Sequence, residues 1–141
     1  MKAYLTRRYR FSASHRLHNE SFGEQQNREI YGKCNNPHGH GHNYALEVTV
    51  SGPVAANTGM VCDLGELDGC VAERVLARFD HQNLNLCSDF TDMVPTTENL
   101  AVAIFDILQR EFKAVHLEQV KIEETANNSF IYAGDKEPIL R

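Results

Sequence analysis

Apolar and polar positions alternate at the start of the chain. Between residues 3 and 14, Tyr4, Thr6, Tyr9 and Phe11 make an aromatic and β-branched mix without helix punctuation, which predicts a first strand. From Asn43 to Ser51, Tyr44, Leu46, Val48 and Val50 alternate with more polar neighbours until Gly52-Pro53, which predicts a second. The period then lengthens. Leu64, Leu67, Val71, Val75 and Phe79 recur at three- and four-residue steps behind Asp63 as N-cap, the pattern of an amphipathic helix. A polar exit at Asp80-His81-Gln82-Asn83-Leu84-Asn85 and a loop to Pro95 precede a second helix. That helix opens at Thr96-Thr97-Glu98-Asn99 under a threonine cap and carries Leu100, Ile104, Ile107, Leu108 and Phe112 on one side. Val120 and Ile122 alternate within residues 115–125, Asn127-Asn128 supplies a tight turn, and Phe130-Ile131-Tyr132-Ala133 returns as the last strand. The polar stretch from Arg16 to Lys33 reads as a long loop with one helical turn at Glu24 to Ile30.

The order strand, strand, helix, helix, strand, strand implies an α+β fold, a four-stranded antiparallel sheet with both helices on one face. Residues 1–141 are read as one domain, long enough to bury most of its apolar surface without disulfides. A four-stranded sheet leaves unpaired backbone groups on both edges. Closing it between subunits removes them, so a homo-oligomer is expected.

Composition narrows the setting more than the chemistry. With 42% hydrophobic and 23% charged residues, and no apolar run of signal-peptide or membrane-spanning length, the chain is expected to be cytoplasmic. Cys34, Cys62, Cys70 and Cys87 show no Cys-x-x-Cys spacing and are expected as thiols. A net charge of -5 argues against nucleic-acid partners. Yet Lys2, Arg7, Arg8, Arg10 and Arg16 all precede residue 17, which makes either a solvated strand face or a local field suited to a small phosphorylated ligand.

The candidate chemistry is concentrated in Cys34-Asn35-Asn36-Pro37-His38-Gly39-His40-Gly41-His42-Asn43-Tyr44. If the chain is already extended at His40, His40 and His42 project from one face. His15 ends the first strand-like run and is the candidate third ligand. Three neutral imidazoles with an open fourth position describe a catalytic zinc. His38 falls off this alternation and reads as a solvated turn residue.

The chain resembles the 6-pyruvoyl-tetrahydropterin synthase family, which includes the 6-carboxy-tetrahydropterin synthases. The resemblance rests on Phe11-Ser12-Ala13-Ser14-His15-Arg16-Leu17, Tyr31-Gly32-Lys33-Cys34-Asn35-Asn36-Pro37 running into Gly39-His40-Gly41-His42-Asn43-Tyr44, Thr58-Gly59-Met60-Val61, Asp80-His81-Gln82-Asn83-Leu84, Thr96-Thr97-Glu98-Asn99, and Glu124-Thr125. It implies a tunnelling (T-fold) subunit whose sheets close a barrel in a trimer, with two trimers stacked into a hexamer and active sites between subunits. It implies zinc on His15, His40 and His42, and Cys34 as general base. Asp80 and His81 would activate Cys34 from an adjacent subunit, and Thr97, Glu98 and Glu124 would hold the pterin ring, Glu124 also assisting proton transfer. Without the resemblance, Asp80-His81 reads as a helix exit, Glu98 as compensation of the helix dipole and Glu124 as a solvated strand residue.

The implied reaction is that of a carbon-oxygen lyase converting 7,8-dihydroneopterin triphosphate to a tetrahydropterin with loss of triphosphate, whose charge Arg16 and Lys33 are placed to neutralise. The long segment 16–33 and Asn35-Asn36-Pro37 favour the 6-pyruvoyl product. The 6-carboxy product with acetaldehyde, as in the queuosine pathway, is the alternative. A non-catalytic pterin-binding module needs no joint Cys34, Asp80 and His81, and a zinc hydrolase related to GTP cyclohydrolase would use the metal's water instead.

Overall fold

The computed structural model describes residues 2–140. Strands β1 (Lys2–His15) and β2 (His40–Pro53) pair antiparallel along their full 14 residues, from Lys2 opposite Pro53 to His15 opposite His40. Opposed residues of such a pair share a face. Phe11, Ala13 and His15 therefore stand beside Tyr44, His42 and His40. The second strand starts at His40, three residues before its apolar alternation begins.

Between these strands lie helix α1 (Glu24–Tyr31) and a 3₁₀ turn (Gly32–Asn35). The expected single turn is thus two turns long. Its anchor is buried Asn27, whose Oδ1 accepts from Asn19 N at 2.8 Å and whose Nδ2 donates to Asn19 O at 3.0 Å. A polar side chain doing the work of a core residue gives no apolar periodicity to read.

Helix α2 (Leu64–Val71) is capped by Asp63, whose side chain accepts from Gly65 N and Glu66 N. Such a cap is worth about 1 kcal/mol. The helix continues without a break through a π-helical turn (Ala72–Leu76) into α3 (Ala77–Phe79). Leu67, Val71, Val75 and Phe79 are spaced by four, which drifts forward on a 3.6-residue helix. The wider π turn offsets that drift and keeps all four in the core.

A two-residue strand, β3 (Gln82–Asn83), runs parallel to β1. Helix α4 (Thr97–Glu111) follows, with Thr96 Oγ1 accepting from Asn99 N at 3.1 Å. Strands β4 (His116–Thr125) and β5 (Asn128–Tyr132) close the described chain in the order β3-β1-β2-β4-β5. The sheet therefore has five strands and one parallel pair, where the hydrophobic pattern predicts four antiparallel strands. Gln82 and Asn83 carry no apolar alternation, and β3 is recruited by the backbone: His81 N donates to Ser12 O at 2.6 Å.

One sheet face packs against the helices, bringing Tyr44, Leu46, Val48, Val50, Val120 and Ile122 into one cluster with Leu67, Phe79, Leu100, Ile104 and Leu108. Truncating any of these large side chains to Ala costs about 2–5 kcal/mol. The other face is polar, with Thr6 Oγ1 and Thr49 Oγ1 2.8 Å apart, Ser12 Oγ donating to Asn43 Oδ1 at 2.6 Å, and Arg8 Nη1 donating to Glu47 Oε2 at 2.7 Å. Among the described residues, no helix is long and apolar enough to cross a membrane.

Candidate active site

The register that sets His15 opposite His40 brings three histidines together. The ligand nitrogens of His15, His40 and His42 all lie within 4.8 Å of one another, and the rings meet edge-on with centroids 4.7, 5.1 and 4.7 Å apart. His15 Nδ1 lies 2.8 Å from the carbonyl of Pro95. A carbonyl only accepts, so Nδ1 carries the hydrogen and Nε2 presents its lone pair.

That lone pair faces His40 Nε2 at 3.2 Å. Tetrahedral zinc, with Zn–N near 2.0–2.1 Å, separates two ligand nitrogens by roughly 3.3–3.4 Å. His42 Nε2 is buried with no hydrogen-bond partner among the described residues, a state that buried polar atoms seldom tolerate. Burial pushes the pKa values of His15 and His42 below the ordinary histidine range, which keeps them neutral and able to donate lone pairs near pH 7. By donor type, spacing and an unpaired nitrogen, the three residues fit a divalent transition metal.

Glu124 comes to this cluster through a β-bulge. The β4–β5 register slips between Glu123 and Thr125, leaving Glu124 as the extra residue, and a bulge re-aims its side chain. Its Oε2 accepts from Thr97 Oγ1 and lies 3.8 Å from His42 Nε2. Thr97 is buried in the first turn of α4. Glu98 beside it is exposed.

Cys34 sits half-buried in the 3₁₀ turn after α1. Its carbonyl accepts from Leu17 N at 2.8 Å, and the next residue, Asn35, donates Nδ2 to Leu17 O at 2.8 Å. These bonds fasten the thiol's segment to the chain leaving His15. Burial, then the charge of Glu124, pushes the Cys34 thiol up. One chain alone therefore disfavours the thiolate.

Asp80 and His81 stand elsewhere, on the outer edge of β1 beside β3. Asp80 Oδ1 accepts from Ser12 N at 2.9 Å and lies 3.0 Å from His81 Nδ1. His81 has φ of +60°, and its side chain is 81% exposed. Among the described residues, no hydrogen bond joins His81 to Cys34. A single chain thus assembles the histidines, Cys34, Thr97 and Glu124, and holds the Asp80–His81 pair outward.

Sequence reasoning misses three contributors. Tyr44 continues the His40/His42 alternation and forms a fully buried wall whose ring lies 5.6 Å from that of His42, a placement the period of two contains. Pro95 acts through its carbonyl and Asn35 through a main-chain clamp, neither of which has a sequence signal. His38 is exposed and outside the metal cluster.

The family model described as 6-pyruvoyl tetrahydropterin synthase matches residues 4–135. A relative from Poecilia reticulata named 6-pyruvoyl tetrahydrobiopterin synthase is 46% identical over 133 residues, covering 94% of this chain and 90% of its own. The protein of the same name from Homo sapiens is 44% identical over 135 residues, covering 95% and 93%. The solved structure of Caenorhabditis elegans 6-pyruvoyl tetrahydropterin synthase superposes with a TM-score of 0.90 at 40% identity, covering 96% of this chain and 97% of that one. The chain belongs to the 6-pyruvoyl tetrahydropterin synthase family.

Proposed function

We propose that this chain, as one domain over residues 1–141, converts 7,8-dihydroneopterin triphosphate to 6-pyruvoyl-tetrahydropterin with elimination of triphosphate. The observation that supports the reading is the Thr97–Glu124 pair, whose Glu124 Oε2 lies 3.8 Å from His42 Nε2, a carboxylate beside three histidines whose donors fit a metal. Relatives named for this synthase align over nine-tenths of both chains, which favours the 6-pyruvoyl product.

His15, His40 and His42 would hold zinc, which when bound supplies Lewis acidity toward the substrate's side-chain hydroxyls. Glu124 accepts hydrogen bonds from the ring's amino group and adjacent N–H, a paired charge-assisted contact that fixes the ring's orientation. Thr97 occupies one of its oxygens and stops the carboxylate from rotating. Cys34 takes protons from the side-chain carbons, and protons return to the pyrazine ring. Reduction of the ring is therefore matched by oxidation of the side chain, and triphosphate leaves with its C–O electron pair.

Cys34 must become a thiolate against its raised pKa, and the Asp80–His81 pair of a neighbouring chain supplies the compensating charge. The outward-facing His81 and the two unpaired sheet edges support a homo-oligomer, read as trimers closing a barrel and stacked as a hexamer in the cytoplasm. Glu98 would join the ring contacts from the start of α4.

The test is anaerobic incubation of zinc-loaded protein with 7,8-dihydroneopterin triphosphate, followed by mass spectrometry. A 6-pyruvoyl pterin with free triphosphate is expected. A 6-carboxy pterin with acetaldehyde would move the chain to the other branch of the family. Tight pterin binding without turnover would make it a binding module, and turnover of GTP a hydrolase.

A further inference from the structure

The backbone ladder between β3 and β1 is short. It pairs Ala13 with Gln82 and Ser14 with Asn83, and the chain then leaves the sheet in a 3₁₀ turn (Leu84–Leu86) that sends Leu84 into the core. Among the described residues, backbone pairing on this side of β1 therefore stops just before His15. A side chain takes over from there. Asn85 Oδ1 accepts from Arg16 N at 2.7 Å, and Asn85 Nδ2 donates to Arg16 O at 2.9 Å. A primary amide offers the acceptor and the donor that a strand residue would, so Asn85 adds a rung to the ladder from its side chain. Its orientation is fixed by the partners, because Arg16 N only donates and Arg16 O only accepts.

The segment that ends at Asn85 is fastened at its other end as well. Asp80 Oδ1 accepts from Ser12 N at 2.9 Å, and His81 N donates to Ser12 O at 2.6 Å. Ser12 and Arg16 are thus each gripped through both backbone groups, and His15 lies between them. Within the segment, Asn83 Oδ1 accepts from Asn85 N at 3.0 Å and shapes the turn from which the Asn85 side chain reaches back. His15 is held by His40 opposite it on β2, by these grips along the other edge, and at its ring by the Pro95 carbonyl.

His81 belongs to the same segment. Its φ of +60° is left-handed, and its side chain is 81% exposed. A non-glycine keeps such a backbone only where its surroundings over-determine it, and the fastenings at Ser12 and Arg16 do so from both ends.

From this arrangement we propose that Asn85 is a positioning residue serving two active sites. It sets the His15 end of β1 in its own chain, and by closing the segment 80–85 it sets the aim of His81 toward the Cys34 of a neighbouring chain. The second role rests on the function read above for His81; the first does not. One exposed amide thereby joins the histidine cluster of one chain to the thiol of the next.

The test uses the full chain carrying Asn85→Ala, a substitution at an exposed position that opens no core cavity. Zinc affinity by chelator competition is expected to weaken about three- to tenfold, and exchange of the Arg16 amide hydrogen to quicken in the metal-free protein. Neither readout depends on assembly. Asn85→Asp keeps the acceptor for Arg16 N and loses the donor to Arg16 O, and its zinc affinity is expected to lie between the two. The pH midpoint of Cys34 alkylation is expected to move to alkaline pH in Asn85→Ala, as in His81→Ala. No titrating group has been removed from Asn85→Ala, so that shift reports the aim of His81. Unchanged zinc affinity and unchanged Arg16 exchange would overturn the proposal. A midpoint that moves in His81→Ala but not in Asn85→Ala would overturn the second role and leave the reading of His81 standing. A midpoint that moves in neither variant removes that reading, and the second role with it.

Discussion

Gly39 lies so close to His15 that a Cβ added to it would stand 2.9 Å from the His15 carbonyl oxygen. With φ at +72°, this glycine is the turn by which the chain comes back beside His15, the first histidine of the cluster, before His40.

Gly39→Ala should therefore loosen the metal centre without touching a ligand. Zinc affinity measured by chelator competition is expected to fall about tenfold or more, the strain of a non-glycine at this φ adding to the backbone clash. Gly41→Ala is the control, because its Cβ would meet Ala13 O at an ordinary 3.6 Å. Equal zinc affinity in both variants would contradict the role given to Gly39.

Thr97→Val removes the hydroxyl that engages Glu124 and keeps the shape of the side chain. The loss of a hydrogen bond to a charged group is worth about 1.5–3 kcal/mol, so kcat/KM is expected to drop roughly ten- to a hundredfold. Zinc content should be unchanged, and Thr97→Ser should recover most of the activity. Elemental analysis alongside steady-state kinetics separates this from damage to the histidines.

The Cys34 thiol offers a direct readout of assembly. Within one chain, burial and then Glu124 raise its pKa above the unperturbed value of about 8.5. In His81→Ala protein the alkylation rate of Cys34 should therefore rise only at more alkaline pH. In wild-type oligomer the midpoint should lie lower, by the imidazolium of the neighbouring chain. Superimposable pH profiles would show that His81 does not reach the thiol.

Asp68 ties β1 to α2 by accepting from Arg7 Nε at 3.1 Å, Arg7 Nη2 at 3.0 Å and Tyr9 OH at 2.7 Å. The bonds from Arg7, then Tyr9, hold its carboxyl below the usual carboxylate range. A depressed folded pKa contributes stability that is present above the unfolded value of about 3.9 and lost as pH falls through the folded one. The Tm difference between wild type and Asp68→Asn should thus be largest near neutrality and shrink below about pH 4. The pair is partly exposed, so the effect is small, and a difference that grows in acid would refute the linkage.

Read alone, the residues already carried both long strands, the capped helices, the closing hairpin and the His40/His42 pair, because each depends on local periodicity or capping. Asp63 and Thr96 are caps in the sequence as in the structure. His15 was legible as a neighbour of that pair only because one more strand was expected to lie alongside. What the sequence left open depended on long-range backbone geometry. Strand β3 exists because His81 N reaches Ser12 O, not because Gln82 and Asn83 favour strands. Pro95 orients His15 through a carbonyl that every residue possesses. Glu124 turns toward the histidines because the β4–β5 register slips beside it, and that slip is set by how two strands meet rather than by the identity of either residue.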